Sequence, residues 1–143
     1  MRHLIKPVLL IAVVVGIVWA LTSWPRLSEV ETGKTPEYPD LRVRDYSSAE
    51  NVVSKAAKAA VERLPRWSLG ASGSGPRGTE IQAVASSPLL PVKSDVTIRI
   101  HRDGGKTRVS VRSKSRMGPL DFGQNARNIR DFLAELDRAM YLP

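Results

Sequence analysis

The hydrophobic period changes from two to about three and a half within the stretch Arg108–Leu136. Val109 and Val111 alternate with polar neighbours, which is typical of a strand with one buried face. Apolar residues then recur at three- and four-residue steps, which predicts an amphipathic helix through Ala126, Ile129, Leu133, Leu136 and Met140. The polar segment 113–125, here called the joint, connects the two elements and is the best place in the chain for a site.

The same patterns predict further elements upstream. Alternation indicates strands at 81–85 and 96–100, and a short first strand at 67–69. Gly70–Gly78 has the composition of a flexible turn, and Asp103-Gly104-Gly105 that of a hairpin turn. We therefore expect three or four antiparallel strands.

A second helix is predicted before these strands. Ser47 and Glu50 have capping-box spacing, so the helix should begin near Ser48, and Pro65 should end it. Its inward stripe would be Val53, Ala56, Ala57, Ala60, Val61 and Leu64. The expected fold class is α+β: a sheet of three to four strands with two helices on one face, preceded by an N-terminal transmembrane helix.

The N-terminal segment has the features of a membrane anchor. Basic residues Arg2, His3 and Lys6 precede the apolar run 8–21, which orients its N-terminus towards the cytoplasm and exports the rest. No Ala-x-Ala cleavage site follows, and Trp19 and Trp24 suit the membrane interface. We expect a single-pass anchor of the cytoplasmic (inner) membrane over residues 1–24, a linker over 25–37 and a periplasmic or outside domain over 38–143. A cleaved signal peptide is the alternative.

Composition excludes several kinds of chemistry. The chain has no cysteine, which rules out disulfides, thiolate metal sites and a cysteine nucleophile. His3 and His101 are the only histidines, and His3 lies in the N-terminal segment. Two histidines are too few for a histidine metal cluster, and this shortage also disfavours a Ser-His-Asp triad. We predict no catalytic residue, metal or cofactor.

The net charge of +8 is concentrated in one segment, because eight basic residues against two acidic ones lie between Lys93 and Arg116. If Val109 and Val111 face the helices, strand parity places these cations on the opposite face of the sheet. The predicted basic face comprises Arg99, His101, Arg108 and Lys114. An anionic membrane surface, an envelope polymer or a membrane protein would suit it; few aromatics and export disfavour nucleic acid. The alternative is a face that only keeps the domain soluble.

The joint allows two interpretations. In the structural one, Asp121 caps the last helix with Gln124, Arg116 pairs with Asp121, and Asn125 binds Ser113 or Ser115. In the functional one, these groups and the helix N-terminus hold an anion. The candidate ligand-binding residues are Arg112, Ser113, Ser115, Arg116, Asp121, Asn125 and Arg130.

The chain also resembles a bacterial family, domain of unknown function 1499, over about 38–136. The resemblance rests on Tyr38-Pro39-Asp40, on 95–100 and above all on the Arg-Ser-x-Ser-Arg-x-Gly-x-x-Asp-x-Gly-x-Asn-Ala pattern of 112–126. Asn128 departs from it, since relatives usually have arginine there, and so does Ser94-Asp95, where relatives often have an acidic pair. The resemblance implies a domain behind a membrane segment and no known reaction.

Two functions follow as hypotheses. The first is a non-enzymatic envelope protein that binds an anionic ligand, a lipid headgroup or a partner protein. The second is an envelope hydrolase or transferase with Ser113 or Ser115 as nucleophile beside Arg116 and Asp121. The second lacks a nearby histidine to activate the hydroxyl.

Overall fold

A computed structural model describes residues 2–23, 27–119 and 121–141 of the chain, with side chains from residue 6 onward. The elements in chain order are α1 (Arg2–Ser23), β1 (Glu29–Glu31), β2 (Arg44–Tyr46), α2 (Glu50–Arg63), β3 (Trp67–Gly75), β4 (Gly78–Ser86), β5 (Lys93–Asp103), β6 (Lys106–Ser115) and α3 (Gln124–Tyr141).

The sheet is antiparallel throughout. Strands β3 to β6 form a meander, and the sheet order is β1-β6-β5-β4-β3. β1 and β2 both pair with the outer edge of β6, β1 with residues 112–114 and β2 with residues 107–109. Val30 lies opposite Ser113, while Asp45 lies opposite Arg108. The first residues of the domain therefore close the edge made by its last strand.

The predicted sheet of three to four strands with two helices is wrong, because six strands and three helices are present in the described residues. The α+β character is retained. The missed strands are β1 and β2, which are three residues long and too short to show alternation. β1 lies within 25–37, where the sequence predicts a linker.

The hydrophobic stripes are confirmed. Every second residue of β4, β5 and β6 is buried, including Ile81, Ile98 and Val111. α2 and α3 cover this face and pack against each other. The buried helix positions are Val53, Ala57, Ala60, Val61, Ala126, Ile129, Phe132, Leu133 and Leu136.

Two local predictions are wrong. α2 begins at Glu50 after Ala49, with no side-chain cap. The Glu50 carboxylate instead accepts a hydrogen bond of 2.9 Å from the Thr79 hydroxyl. The glycine-rich stretch continues β3 as far as Gly75, and the turn is confined to Pro76 and Arg77, because backbone pairing with β4 does not need side chains.

α1 is a single apolar helix, and no side chain between Lys6 and Ser23 is buried. It is long and apolar enough, by length and composition, to cross a membrane. The predicted interfacial Trp24 lies outside the described residues.

The domain has two distinct ends. At the anchor-side end, the Ser28 carbonyl, five residues after α1, accepts the N–H of Ser115 at 2.8 Å. The β4–β5 loop and the joint lie at this end. At the far end lie the β3–β4 turn and the β5–β6 turn.

Candidate functional site

Asp121 holds the start of α3. One carboxylate oxygen accepts the N–H of Gly123 at 2.9 Å, and the other accepts the N–H of Asn125 at 2.9 Å. The side chain is 6% exposed. Capping by the Asp121 carboxylate is confirmed, but α3 begins at Gln124, so Asp121 lies two residues before the N-cap position, and Gln124 bonds to Asn128 instead of completing the predicted capping box. Both acceptor oxygens of Asp121 are therefore used by the backbone.

A buried hydrogen-bond network ties α3 to the sheet. The Ser113 hydroxyl donates to the Asn125 side-chain oxygen at 2.7 Å and accepts from the Asn128 amide at 3.2 Å. The Asn125 amide donates to the Ser28 carbonyl at 3.1 Å. The predicted contact between Asn125 and Ser113 is confirmed. Sequence reasoning did not include Asn128 or Ser28 in this network, because their contacts depend on the tertiary fold.

Arg116 does not contact Asp121. Its guanidinium binds the Asp95 carboxylate on β5, with a shortest distance of 2.6 Å. The predicted Arg116–Asp121 pair is therefore wrong, because Arg116 lies on the outer side of the sheet while Asp121 is buried. The Ser115 hydroxyl accepts the N–H of Met117 at 3.3 Å. Ser113, Ser115, Arg116 and Asp121 therefore do not converge on one reacting atom. This geometry gives no support to the hypothesis of a serine nucleophile.

Two arginines on the outer face of β6 are paired with carboxylates. Arg112 makes two hydrogen bonds to Glu29, and Arg108 lies between Asp45 and Asp103. Hydrogen bonding to Arg112 holds the pKa of Glu29 below its usual value, and Arg108 does the same for Asp45. Glu29 belongs to β1 and Asp45 to β2, so the sheet edge supplies counter-charges.

The remaining candidates are distributed over the surface. Arg130 binds Asp40 at 2.8 Å and stacks over the Tyr38 ring, 5.4 Å from its centroid. Lys114 is exposed on β6. Arg130 lies outside the joint, and Lys114 lies in the part of the joint that belongs to β6. Arg99 and His101, in contrast, sit on the outer face of β5 near the far end.

An open depression of about 610 Å³ lies beside the β3–β4 turn. Arg77, Arg99 and His101 line it together with Glu80, whose carboxylate is 3.2 Å from Arg99. Arg77 makes no ion pair within the described part of the chain. The turn places this arginine in the same depression as Arg99 and His101 of β5.

A second depression of about 480 Å³ lies on the helix side of the same hairpin, between α2 and the residues Ser74 and Thr79. Lys55 and Lys58 line it, and the buried Ser54 hydroxyl beside them has no hydrogen-bond partner in the described residues. We give the name far-end cationic site to the basic residues of both depressions: Arg77, Arg99 and His101 on the outer side of the hairpin, and Lys55 and Lys58 on its helix side. Glu80 lines the first depression and Glu50 the second.

Arg77, Lys55 and Lys58 were not among the sequence candidates. The signal that could have indicated Arg77 is its place in a turn sequence, Pro76-Arg77-Gly78. Nothing local pointed to the two lysines, because a helix surface usually carries such residues for solubility alone.

The described residues hold no cluster of three or more His, Asp or Glu side chains that could bind a metal ion. The two depressions at the β3–β4 hairpin instead present basic side chains and the hydroxyl groups of Ser74 and Thr79. Such groups bind anions through charge-assisted hydrogen bonds.

These features define a two-layer α+β domain behind one apolar helix, with its polar joint used for structure and three cations without an ion pair in the described residues, Lys55, Lys58 and Arg77, near the β3–β4 hairpin. The chain belongs to the family described as protein of unknown function DUF1499, whose model matches residues 20–136. The match begins within α1 and includes β1, β2 and the joint. No curated protein matches the chain.

Comparison with solved structures finds similarity at low identity. The Aha1 dimer from Colwellia psychrerythraea is 11% identical, with 79% of this chain and 96% of that chain covered and a TM-score of 0.40. TTHA0849 from Thermus thermophilus is 15% identical, with coverages of 78% and 96% and a TM-score of 0.40. Ara h 8.0201 is 15% identical, with the same coverages and a TM-score of 0.32. No function is inferred from them.

Proposed function

We propose that this protein is a membrane-anchored cell-envelope domain that binds an anionic ligand through the far-end cationic site and catalyses no reaction. α1 would be a retained single-pass anchor of the cytoplasmic membrane, with its N-terminus in the cytoplasm and the domain outside. The observation that carries the binding proposal is the depression in which Arg77 joins Arg99 and His101.

Ion pairing of the arginines on β6 and in the joint supports this location over those two segments. The arginines of β6 and of the joint all face carboxylates at ion-pair distance. Lys55, Lys58 and Arg77 have no carboxylate within 4 Å in the residues that the structure describes. A ligand phosphate or carboxylate would therefore not have to displace an existing partner from them.

The joint supports a non-enzymatic role. Ser113 is fully buried and has both a donor and an acceptor bond, and Asp121 is engaged by two backbone amides. A nucleophile needs a reachable oxygen and a base beside it. The geometry of the joint offers neither.

Placement relative to the anchor favours a ligand in the aqueous envelope over a lipid headgroup at this site. The β3–β4 turn is at the opposite end of the sheet from Ser28. If α1 spans the membrane, the far-end cationic site faces away from it. An anionic envelope polymer or an acidic segment of a partner protein would then be within reach.

The test uses the full chain in nanodiscs of zwitterionic phosphatidylcholine and a fluorescein-labelled short polyphosphate as the anionic probe. Fluorescence anisotropy should show binding that weakens with salt. Arg77→Ala should weaken binding about three- to tenfold, as expected for one charge contact of about 1 kcal/mol.

Arg42→Ala is the matched control, because Arg42 is also an exposed loop arginine with no ion pair in the described part of the chain. It should leave binding within about twofold of wild type. If both variants bind equally, the far-end cationic site is not where the anion sits. If wild type does not bind polyphosphate at all, the site does not recognise phosphate polymers.

A further inference from the structure

We propose that the anchor-side end of the domain docks on the bilayer that contains α1, with exposed apolar side chains of two loops entering the interfacial region. The membrane-docking surface consists of the β4–β5 loop with Leu89 and Leu90, and of Met117 in the joint. This proposal rests on α1 spanning the membrane, as proposed above. It concerns a different surface from the far-end cationic site.

Exposure is the first observation. Leu89 is 89% exposed, Met117 66% and Leu90 46%. Large hydrophobic side chains are normally exposed singly, whereas a cluster of them indicates an interaction surface. Outside α1, the other exposed large hydrophobic residues in the described chain are scattered: Val52, Leu69 and Tyr141.

The two loops are neighbours. The N–H of Arg116, which precedes Met117, donates to the carbonyl of Lys93 just after the β4–β5 loop, at 2.9 Å. Leu89 and Leu90 also line a mostly apolar depression of about 350 Å³ with Phe122 at the start of α3. Leu89, Leu90 and Phe122 therefore share one surface, and Met117 lies on a segment bonded to the end of the same loop.

The β4–β5 loop has a defined shape. Ser87 donates its N–H to the carbonyl of Val92 at 2.9 Å, which closes the loop at its base. Pro88 and Pro91 restrict the backbone on either side of the two leucines. Holding exposed leucines on a closed loop lowers the entropy that would be lost when they enter a lipid phase.

The tether fixes which end faces the membrane. Ser28, which bonds to Ser115 and Asn125, is five residues after the end of α1 at Ser23. Five residues span at most about 18 Å when fully extended. The interfacial region on each side of the hydrocarbon core is roughly 5–8 Å thick. This end of the domain must therefore lie close to the lipid headgroups.

Charge at this end suits lipid phosphates. Lys93, Arg66 and Arg127 are exposed and make no ion pair in the described residues. The acidic groups nearby are satisfied within the protein, since Asp95 binds Arg116 and Asp121 binds backbone amides. Apolar side chains flanked by unpaired cations are the combination that interfacial proteins use.

The absence of cysteine makes a depth measurement direct. Single cysteines are introduced into the full chain as Leu89→Cys, Met117→Cys and, as a far-end control, Lys106→Cys, and each is labelled with the fluorophore NBD. Val14→Cys, in the middle of α1, reports on the anchor separately. The proteins are reconstituted into phosphatidylcholine–phosphatidylglycerol vesicles, with doxyl quenchers at shallow or deep acyl positions.

Shallow doxyl lipid should quench the Leu89 and Met117 probes at least twofold more than the Lys106 probe, and deep doxyl lipid should quench the Val14 probe. A quenched Val14 probe with equal, weak quenching at Leu89 and Lys106 would mean that α1 spans while the domain does not dock. An unquenched Val14 probe would overturn the anchor and the docking together. A blue-shifted Leu89 probe that doxyl lipid does not quench would show that protein, such as a second copy of the chain, covers the surface, and would also refute docking.

Discussion

Replacing Asp121 with alanine removes the group that starts α3. The carboxylate is 6% exposed and accepts two backbone N–H bonds, both 2.9 Å long. Losing an N-cap costs about 0.5–2 kcal/mol, and each buried donor left without a partner costs about 1–3 kcal/mol. Since these contributions overlap, we expect Asp121→Ala to lower the free energy of unfolding by about 2–4 kcal/mol.

Thermal unfolding of the full chain, followed by near-ultraviolet circular dichroism in nanodiscs, measures this loss. For a domain of this size, about 4 °C of Tm corresponds to 1 kcal/mol, so Tm should fall by about 8–16 °C. Asp131→Ala is the matched control, because Asp131 is exposed on the same helix and has no hydrogen bond or ion pair in the described residues. Its Tm should stay within about 2 °C of wild type.

A Tm for Asp121→Ala equal to that of Asp131→Ala would refute the cap as a stabilising element. If polyphosphate binding were lost at the same time, Asp121 would instead belong to a ligand site. The functional interpretation of the joint would then replace the structural one.

Two further predictions concern the hairpin and the edge of the sheet. Gly78→Ala should destabilise the domain by about 2 kcal/mol or more, because φ of Gly78 is +104° and an added Cβ would lie 2.2 Å from the Ile100 carbonyl oxygen. Gly75→Ala is the control and should change Tm little, because nothing lies within 4 Å of its added Cβ. Equal changes in Tm for the two variants would contradict the steric argument. Arg112 lowers the pKa of Glu29 from its usual 4.5, so this ion pair stabilises the fold above pH 4.5 and is lost as pH falls through the lower pKa of the folded state. Carbon-13 NMR should therefore place the Glu29 titration midpoint below 4.5 and return it towards 4.5 in Arg112→Ala; a midpoint unchanged by the substitution would contradict the pairing.

Local pattern was enough to predict β4, β5, β6 and the helices, but not the full length of β3, whose residues show no alternation of buried and exposed positions. Ile98 and Val111 alternate with polar residues over eight or more positions, so a single register buries one face. Val30 is the only buried position of a three-residue strand, and its pairing partner Ser113 is 83 residues away. No local signal can predict such a strand.

Large separation along the sequence also explains why the arginines of β6 were predicted to form a basic face, although they are paired with carboxylates. The alternation of Arg108 and Arg112 correctly placed both on the outer face. Their partners, Asp45 and Glu29, come from β2 and β1, which the sequence did not indicate as strands. In the joint, the Asp121 cap could be predicted because cap and helix are adjacent in sequence. The partner of Arg116 could not, because Asp95 is on another strand.

The pairing of β1 with β6 also constrains the order of folding. β1 is joined to the N-terminal helix, whereas β6 is among the last elements of the chain to be synthesised. The β3–β6 meander and α2 involve contacts that are closer in sequence, which favours their earlier formation. If the domain is exported as proposed, Glu29–Glu31 has no strand partner until Arg112–Lys114 has crossed the membrane and returned to the anchor. Contact order therefore predicts that closure of this edge is the final and slowest step of folding, and that a chain truncated before β6 leaves β1 unpaired.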